Sequence, residues 1–214
     1  MSNKNPFIES GMTVNNASFE APVRAWLTDI VERPADHARF MNMLSMLEHM
    51  GSRKIMLSQM NRTLTQDSLQ HLAEEARHAY FFKRQAERMA GHALDGFTDE
   101  NTMCRVPGLM YFGRMDAGIS KHVGEAAAYG WVSMIIELRA CWLYHIYHEV
   151  LEASSVTLSL KPLLAEEDMH LAEMYEMCGH DNATLREMSA YETKLFGTFW
   201  AALEGEREGF AQAA

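Results

Sequence analysis

Two glutamates stand alone in apolar stretches, Glu48 in MNMLSMLEHMGS and Glu137 in VSMIIELRACW. Each is followed, one helix later, by a Glu-x-x-His motif: Glu75-Ala76-Arg77-His78 and Glu167-Asp168-Met169-His170. A carboxylate on an apolar face is costly to bury without a compensating partner. A chain with four of them is therefore restricted to folds that bring them to a common one. The i+3 step keeps each Glu and its His on one helix face. Chance supplies about one Glu-x-x-His in a chain of this composition, so the motif alone decides little. The weight lies in the shared arrangement: the separation is 27 residues from 48 to 75 and 30 from 137 to 167. The midpoints fall near Asn61 and at Glu152, beside Ser154-Ser155, where turns are expected. Residues equidistant from the turn of an antiparallel hairpin lie at one level, here roughly 20 Å from it. Each hairpin thus gathers two carboxylates and one imidazole, and two hairpins face to face gather twice that. Two divalent cations would turn the repulsion into coordination, and carboxylate oxygens with one imidazole per ion suit iron or manganese. The candidate metal ligands are Glu48, Glu75, His78, Glu137, Glu167 and His170.

The surrounding pattern is helical. With only 13 Gly and 5 Pro among 214 residues, and much Ala, Leu, Met and Glu, an all-α chain is expected. Residues 1–18 are polar and read as a flexible N-terminus, leaving 19–214 as a single helical domain. A short helix is predicted over 19–32, ending before Pro34, and long helices over 36–59, 66–90, 117–151 and 160–178. Their stripes are Met41, Leu44, Glu48, Gly51, Ile55; Leu72, Glu75, His78, Ala79, Phe82; Met134, Glu137, Cys141, Tyr144; and Leu163, Leu164, Glu167, His170, Leu171, Met174. A C-terminal helix over 183–209 opens on a capping box of Thr184 and Glu187. The segment 92–116 reads as a long irregular crossover. It could be a lid or an oligomer contact, the latter giving a homodimer. The predicted architecture is a four-helix bundle of two hairpins joined by that crossover, with an extra short N-terminal helix and a C-terminal helix.

Charge and cysteine usage exclude several classes. The net charge of −10 argues against a nucleic-acid binder. Cys104, Cys141 and Cys178 are odd in number and contain no Cys-x-x-Cys, so they read as free thiols in a reducing compartment. The N-terminal MSNKNPFIESGM has no apolar signal core, and no apolar run approaches a membrane span. The expectation is a cytoplasmic protein with no membrane partner.

Over about residues 36–178 the chain resembles the ferritin-like di-iron carboxylate superfamily. "EEARH" at 74–78 is close to the Asp/Glu-Glu-x-Arg-His motif of di-iron monooxygenases and acyl-carrier-protein desaturases, and "EEDMH" at 166–170 is a looser copy lacking the Arg. The segment ELRACWLYHIYHEV (137–150) is similar to the third-helix segment of aldehyde-deformylating oxygenases. Rubrerythrins differ by an extra Glu one turn before the third-helix ligand, where Ser133 and Met134 stand here. Ferritins commonly lack the second His, present here as His170. The resemblance thus points to a small stand-alone oxygenase or oxidase. It implies two iron ions (manganese or a mixed pair as variants) on the six ligands named above, with Glu74, Arg77 and Glu166 orienting the imidazoles. It implies an oxidoreductase that activates O2 to oxidise a small hydrophobic substrate, with electrons from a reductase or ferredoxin. The alternative is a ferroxidase or peroxide scavenger with no organic substrate.

Other residues invite two readings each. Tyr144, two turns beyond Glu137, is either a catalytic redox-active Tyr near the metals or a core Tyr with a satisfied hydroxyl. Cys141 could line a cavity or simply fill the core. His71, four residues before Glu75, could be an extra ligand or orient one; plain core placement is the simpler reading. His49 points about 100° from Glu48 and is discounted, and His145 and His148 read as structural. The 17 Met are core filler or a pliable lining for an apolar substrate.

Overall fold

The computed structural model describes residues 5–59 and 65–211, with side chains for 5–58 and 65–206. All regular structure among them is helical: α1 Pro6–Ser10, α2 Met12–Asn15, α3 Ala17–Val31, α4 Pro34–Gln59, α5 Gln66–Ala90, α6 Arg105–Val123, α7 Glu125–Ala153, α8 Lys161–Met177 and α9 Asn182–Ala211. None of these helices is long and apolar enough to cross a membrane. The chain divides into two compact units. One comprises Met1–Asp29 and Gly113–Gly197, the other Ile30–Phe112 and Thr198–Ala214.

In the second unit α4 packs on α5. The turn expected between them lies largely at residues 60–64, outside the described residues. Its far side is Thr65, whose hydroxyl accepts from Ser68 N (3.2 Å) while Ser68 Oγ accepts from Thr65 N (3.1 Å). This reciprocal cap satisfies two of the helix's orphan donors. Ser45 Oγ donates to the Ala79 carbonyl (2.7 Å), tying the two helices one turn from Glu48.

The irregular crossover is shorter than expected: α6 starts at Arg105, so only about half of 92–116 lacks helix. What remains is bound to its own unit. Asn42 Nδ2 donates to the Asn101 carbonyl and to Thr102 Oγ1, both at 2.9 Å. Lys83 Nζ donates to Asn42 Oδ1 (3.0 Å) and to the Leu94 and Gly96 carbonyls. Burial is the main cause holding the Lys83 ammonium below its usual pKa. Cys104 N donates to Glu206 Oε2 at 2.6 Å. Loop carbonyls with such partners are satisfied without helix.

In the first unit α7 packs on α8, α1 on α8, and α2 on α7. The third long helix, expected from 117 to 151, is two helices. Gly124 separates α6 from α7 at φ 83°, ψ 156°, a conformation that only glycine adopts at little cost. The helix α7 is buried on most of its circumference rather than along one stripe, which marks it as a core helix. Residues 5–16 fall in the stretch read from sequence as a flexible N-terminus, and they form α1 and α2. Asn5 Oδ1 accepts from Phe7 N (2.9 Å) to start α1, and Pro6 follows in the first turn. Fully buried Asn16 donates to the Met12 carbonyl (2.9 Å) and to Thr193 Oγ1 (3.2 Å), and accepts from Arg139 Nη2 (2.8 Å). A polar residue can hold a buried position when each of its groups is paired. At the start of α9 the cap is Asp181 rather than the predicted Thr184–Glu187 box. Its carboxylate accepts from Ala183 N (3.1 Å) and Thr184 N (3.2 Å). An acid at a helix start gains from the dipole as well as the hydrogen bonds.

Candidate metal centre

On α4 the predicted stripe is buried throughout: Met41, Leu44, Glu48, Gly51 and Ile55 all face inward. Glu48 keeps 7% of its surface exposed. On α5 the inward residues are His71, Glu75, His78, Ala79, Phe82 and Ala86. Sequence reading placed Leu72 on this face, but Leu72 is only half-buried and His71 takes its place at 3% exposure. The steps 71, 75, 78, 82, 86 follow the 3.6-residue period, so periodicity could have found His71 had a polar residue been admitted to the stripe.

These side chains converge. His71 Nε2 lies 3.6 Å from Glu75 Oε1, and His78 Nδ1 lies 3.9 Å from the same oxygen. Glu48 and His78 offer donor atoms within 4.8 Å of each other. Gly51 makes room, since a Cβ there would stand 3.0 Å from Glu75 Oε2.

The α7–α8 hairpin repeats the arrangement with one His. Glu137, Glu167 and His170 are each at most 2% exposed. His170 Nδ1 lies 4.0 Å from Glu137 Oε1 and 3.8 Å from Glu167 Oε2. The helix α8 sets the height of Glu167 and His170 by burying Leu163, Leu164, Leu171 and Met174 on the same face. Arg139, two residues after Glu137, leaves this face. Its guanidinium grips Glu192 of α9 through Nε–Oε1 (2.8 Å) and Nη2–Oε2 (2.7 Å) and stacks over Phe196. Cys141, one turn from Glu137, is fully buried. Burial, then the charges of Glu167 and Asp168, push its thiol pKa upward and disfavour the thiolate.

Along α5 and across α7–α8 the donor atoms are 3.6–4.0 Å apart. That is beyond a hydrogen bond. It is within the about 4.2 Å that two ligands, each about 2.1 Å from one ion, can span. Two buried carboxylates with imidazole in each hairpin form a donor set of the type that takes divalent iron or manganese. Buried His and Glu groups able to hold a metal ion are therefore present among the described residues.

The remaining candidates occupy varied positions. Tyr144 is buried, with 3% exposure. Glu74 is half-buried, accepts from Gln70 Nε2 (3.1 Å) and faces Arg77 at 3.8 Å, whose side chain is 53% exposed. Glu166 is half-buried. His49 and His145 are exposed, and buried His148 pairs with Glu152 at 3.4 Å. Comparison of the chain with protein-family models, curated proteins and solved structures finds no match.

Proposed function

We propose that the protein is a ferritin-like, non-haem di-iron oxidoreductase whose iron ligands are Glu48, Glu75 and His78 on α4–α5 and Glu137, Glu167 and His170 on α7–α8. One observation carries the reading. Both hairpins bury a lone Glu together with a Glu-x-x-His pair, with donor atoms 3.8–4.0 Å apart across α7–α8 and Glu48 within 4.8 Å of His78. Buried carboxylates without a counter-charge would cost several kcal/mol each, and cations remove that cost. A manganese or mixed pair would satisfy the same donors.

When bound, an iron pair supplies redox chemistry toward O2 that carboxylates and imidazoles lack. The chain's own contribution is position and dryness. Glu75 and Glu137 stand where carboxylates can orient an ion against the neighbouring imidazole. Leu44 and Phe82 on the first hairpin, and Leu164 and Met174 on the second, are buried on the same helix faces as the ligands. An apolar surround favours a small hydrophobic substrate over a hydrated one. Tyr144, buried on the helix that carries Glu137, is the candidate for contact with substrate. The electrons would come from a reductase or ferredoxin, and the acidic chain suits a basic patch on that donor.

The test is anaerobic loading with Fe(II), followed by metal analysis and exposure to 18O2 with a panel of apolar aldehydes and hydrocarbons. Two irons per chain and 18O in an organic product support the proposal. Less than about one iron per chain overturns it. Iron oxidation with no organic product in the presence of electron donors favours a ferroxidase or peroxide scavenger instead.

A further inference from the structure

We infer that His71 is a metal ligand in its own right, so that Glu75 lies between two ion positions, one marked by His71 and the other by His78 with Glu48. The inference rests on the dinuclear reading above and adds a third imidazole to it. His71 and His78 stand four residues before and three after Glu75, one turn to either side along α5. Both direct a ring nitrogen at one carboxylate oxygen, at 3.6 and 3.9 Å. The 3.6 Å separation is too long for an Nε2–H···O bond, so His71 does not simply orient Glu75 by donating to it. It is the spacing of two donors that share an ion. The two imidazoles also keep different company. His71 shares its donor neighbourhood with Glu75, whereas His78 shares one with Glu48. His71 is nearly as buried as the two histidines of the motifs. The two ion positions are then unequal. The one beside His71 gains a nitrogen donor that a bundle with one imidazole per ion lacks, which raises its affinity for metals that favour imidazole.

The full chain loaded with Co(II) tests this by proton NMR in water. Each coordinated imidazole contributes one exchangeable N–H resonance shifted far outside the normal range by the paramagnetic ion. Three such resonances are expected, from His71, His78 and His170. His71→Gln and His71→Asn should each lose one and weaken one of the two Co(II) affinities by about tenfold or more, with the other unchanged. Two ions bound with only two shifted resonances in the unaltered chain would overturn the role of His71 and leave the dinuclear reading standing. Less than one Co(II) per chain would overturn both.

Discussion

Gly51 and Glu75 approach so closely across the α4–α5 hairpin that a Cβ at residue 51 would stand 3.0 Å from Glu75 Oε2. Glycine inside a helix is a poor choice for stability, about 1 kcal/mol worse than alanine. Its presence opposite a candidate ligand indicates space kept for that carboxylate. Gly51→Ala should therefore separate two quantities. The metal-free protein should melt at the same temperature or higher, while affinity for Fe(II) falls about tenfold because the carboxylate is displaced by a few tenths of an ångström. Thermal melts and chelator competition measure the two. A variant that binds iron as well as the parent would remove Gly51 from the site.

Metal should also stabilise the fold, because the donors are buried and come from separate stretches of chain. An ion present at about a hundred times its dissociation constant adds about 2.7 kcal/mol. For a chain of this size that is a rise in Tm of about 5–10 °C. Differential scanning fluorimetry of chelated and Fe(II)-loaded protein under argon reads it directly. Identical melting temperatures would mean that the carboxylates do not gain an ion in the folded state.

Glu137→Ala should leave no more than one tightly bound iron per chain and abolish the reaction with substrate. Metal analysis after gel filtration gives the count. An unchanged count of two would take Glu137 out of the ligand set.

The Arg139–Glu192 pair is bidentate, with Glu192 fully buried. Removing one member leaves a buried charge behind and costs about 3–5 kcal/mol. Arg139→Leu and Glu192→Leu should each destabilise by that amount in urea titrations. The double variant should be less unstable than the sum of the two. Additive losses would show that the guanidinium and carboxylate contribute independently.

His37 supplies a pH dependence remote from the metal ligands in sequence. It is fully buried, and desolvation lowers its pKa to about 4. Its unfolded value is near 6.5, so between those limits the unfolded chain binds a proton that the folded chain refuses. Stability then rises with pH across this window and falls on acidification, by about 3 kcal/mol at most. Above pH 6.5 the effect is absent. His37→Gln should flatten this part of the stability profile relative to the parent, as measured by urea unfolding at pH 7, 6 and 5. Parallel profiles would assign the acid lability to other groups.

The helical pattern and the paired motifs were legible because both are local. Met41, Leu44, Glu48 and Ile55 share a face by the 100° step alone, and the i+3 spacing brings Glu75 to His78 and Glu167 to His170 whatever surrounds them. The same local logic failed where a polar residue had to be weighed against an apolar neighbour. It chose Leu72 for the stripe, but His71 is the residue buried, since charge and solvation are settled by what stands opposite. Helix propensity is good on both sides of Gly124, so the sequence predicts one continuous helix there. Only the backbone conformation reveals that the chain turns there.

By itself the sequence determined that the chain is helical, which side chains lie on each helix face, and that two hairpins would each carry two acids and a His at one level. Tertiary structure decided what distance along the chain leaves open. It buried His71 in place of Leu72, turned Arg139 away toward Glu192, anchored residues 94–102 through Asn42 and Lys83, and ordered the N-terminal stretch around Asn16. Periodicity follows from bond geometry within a few residues. The burial of a polar group depends on whether a remote segment brings it a partner, and that is a property of the assembled fold.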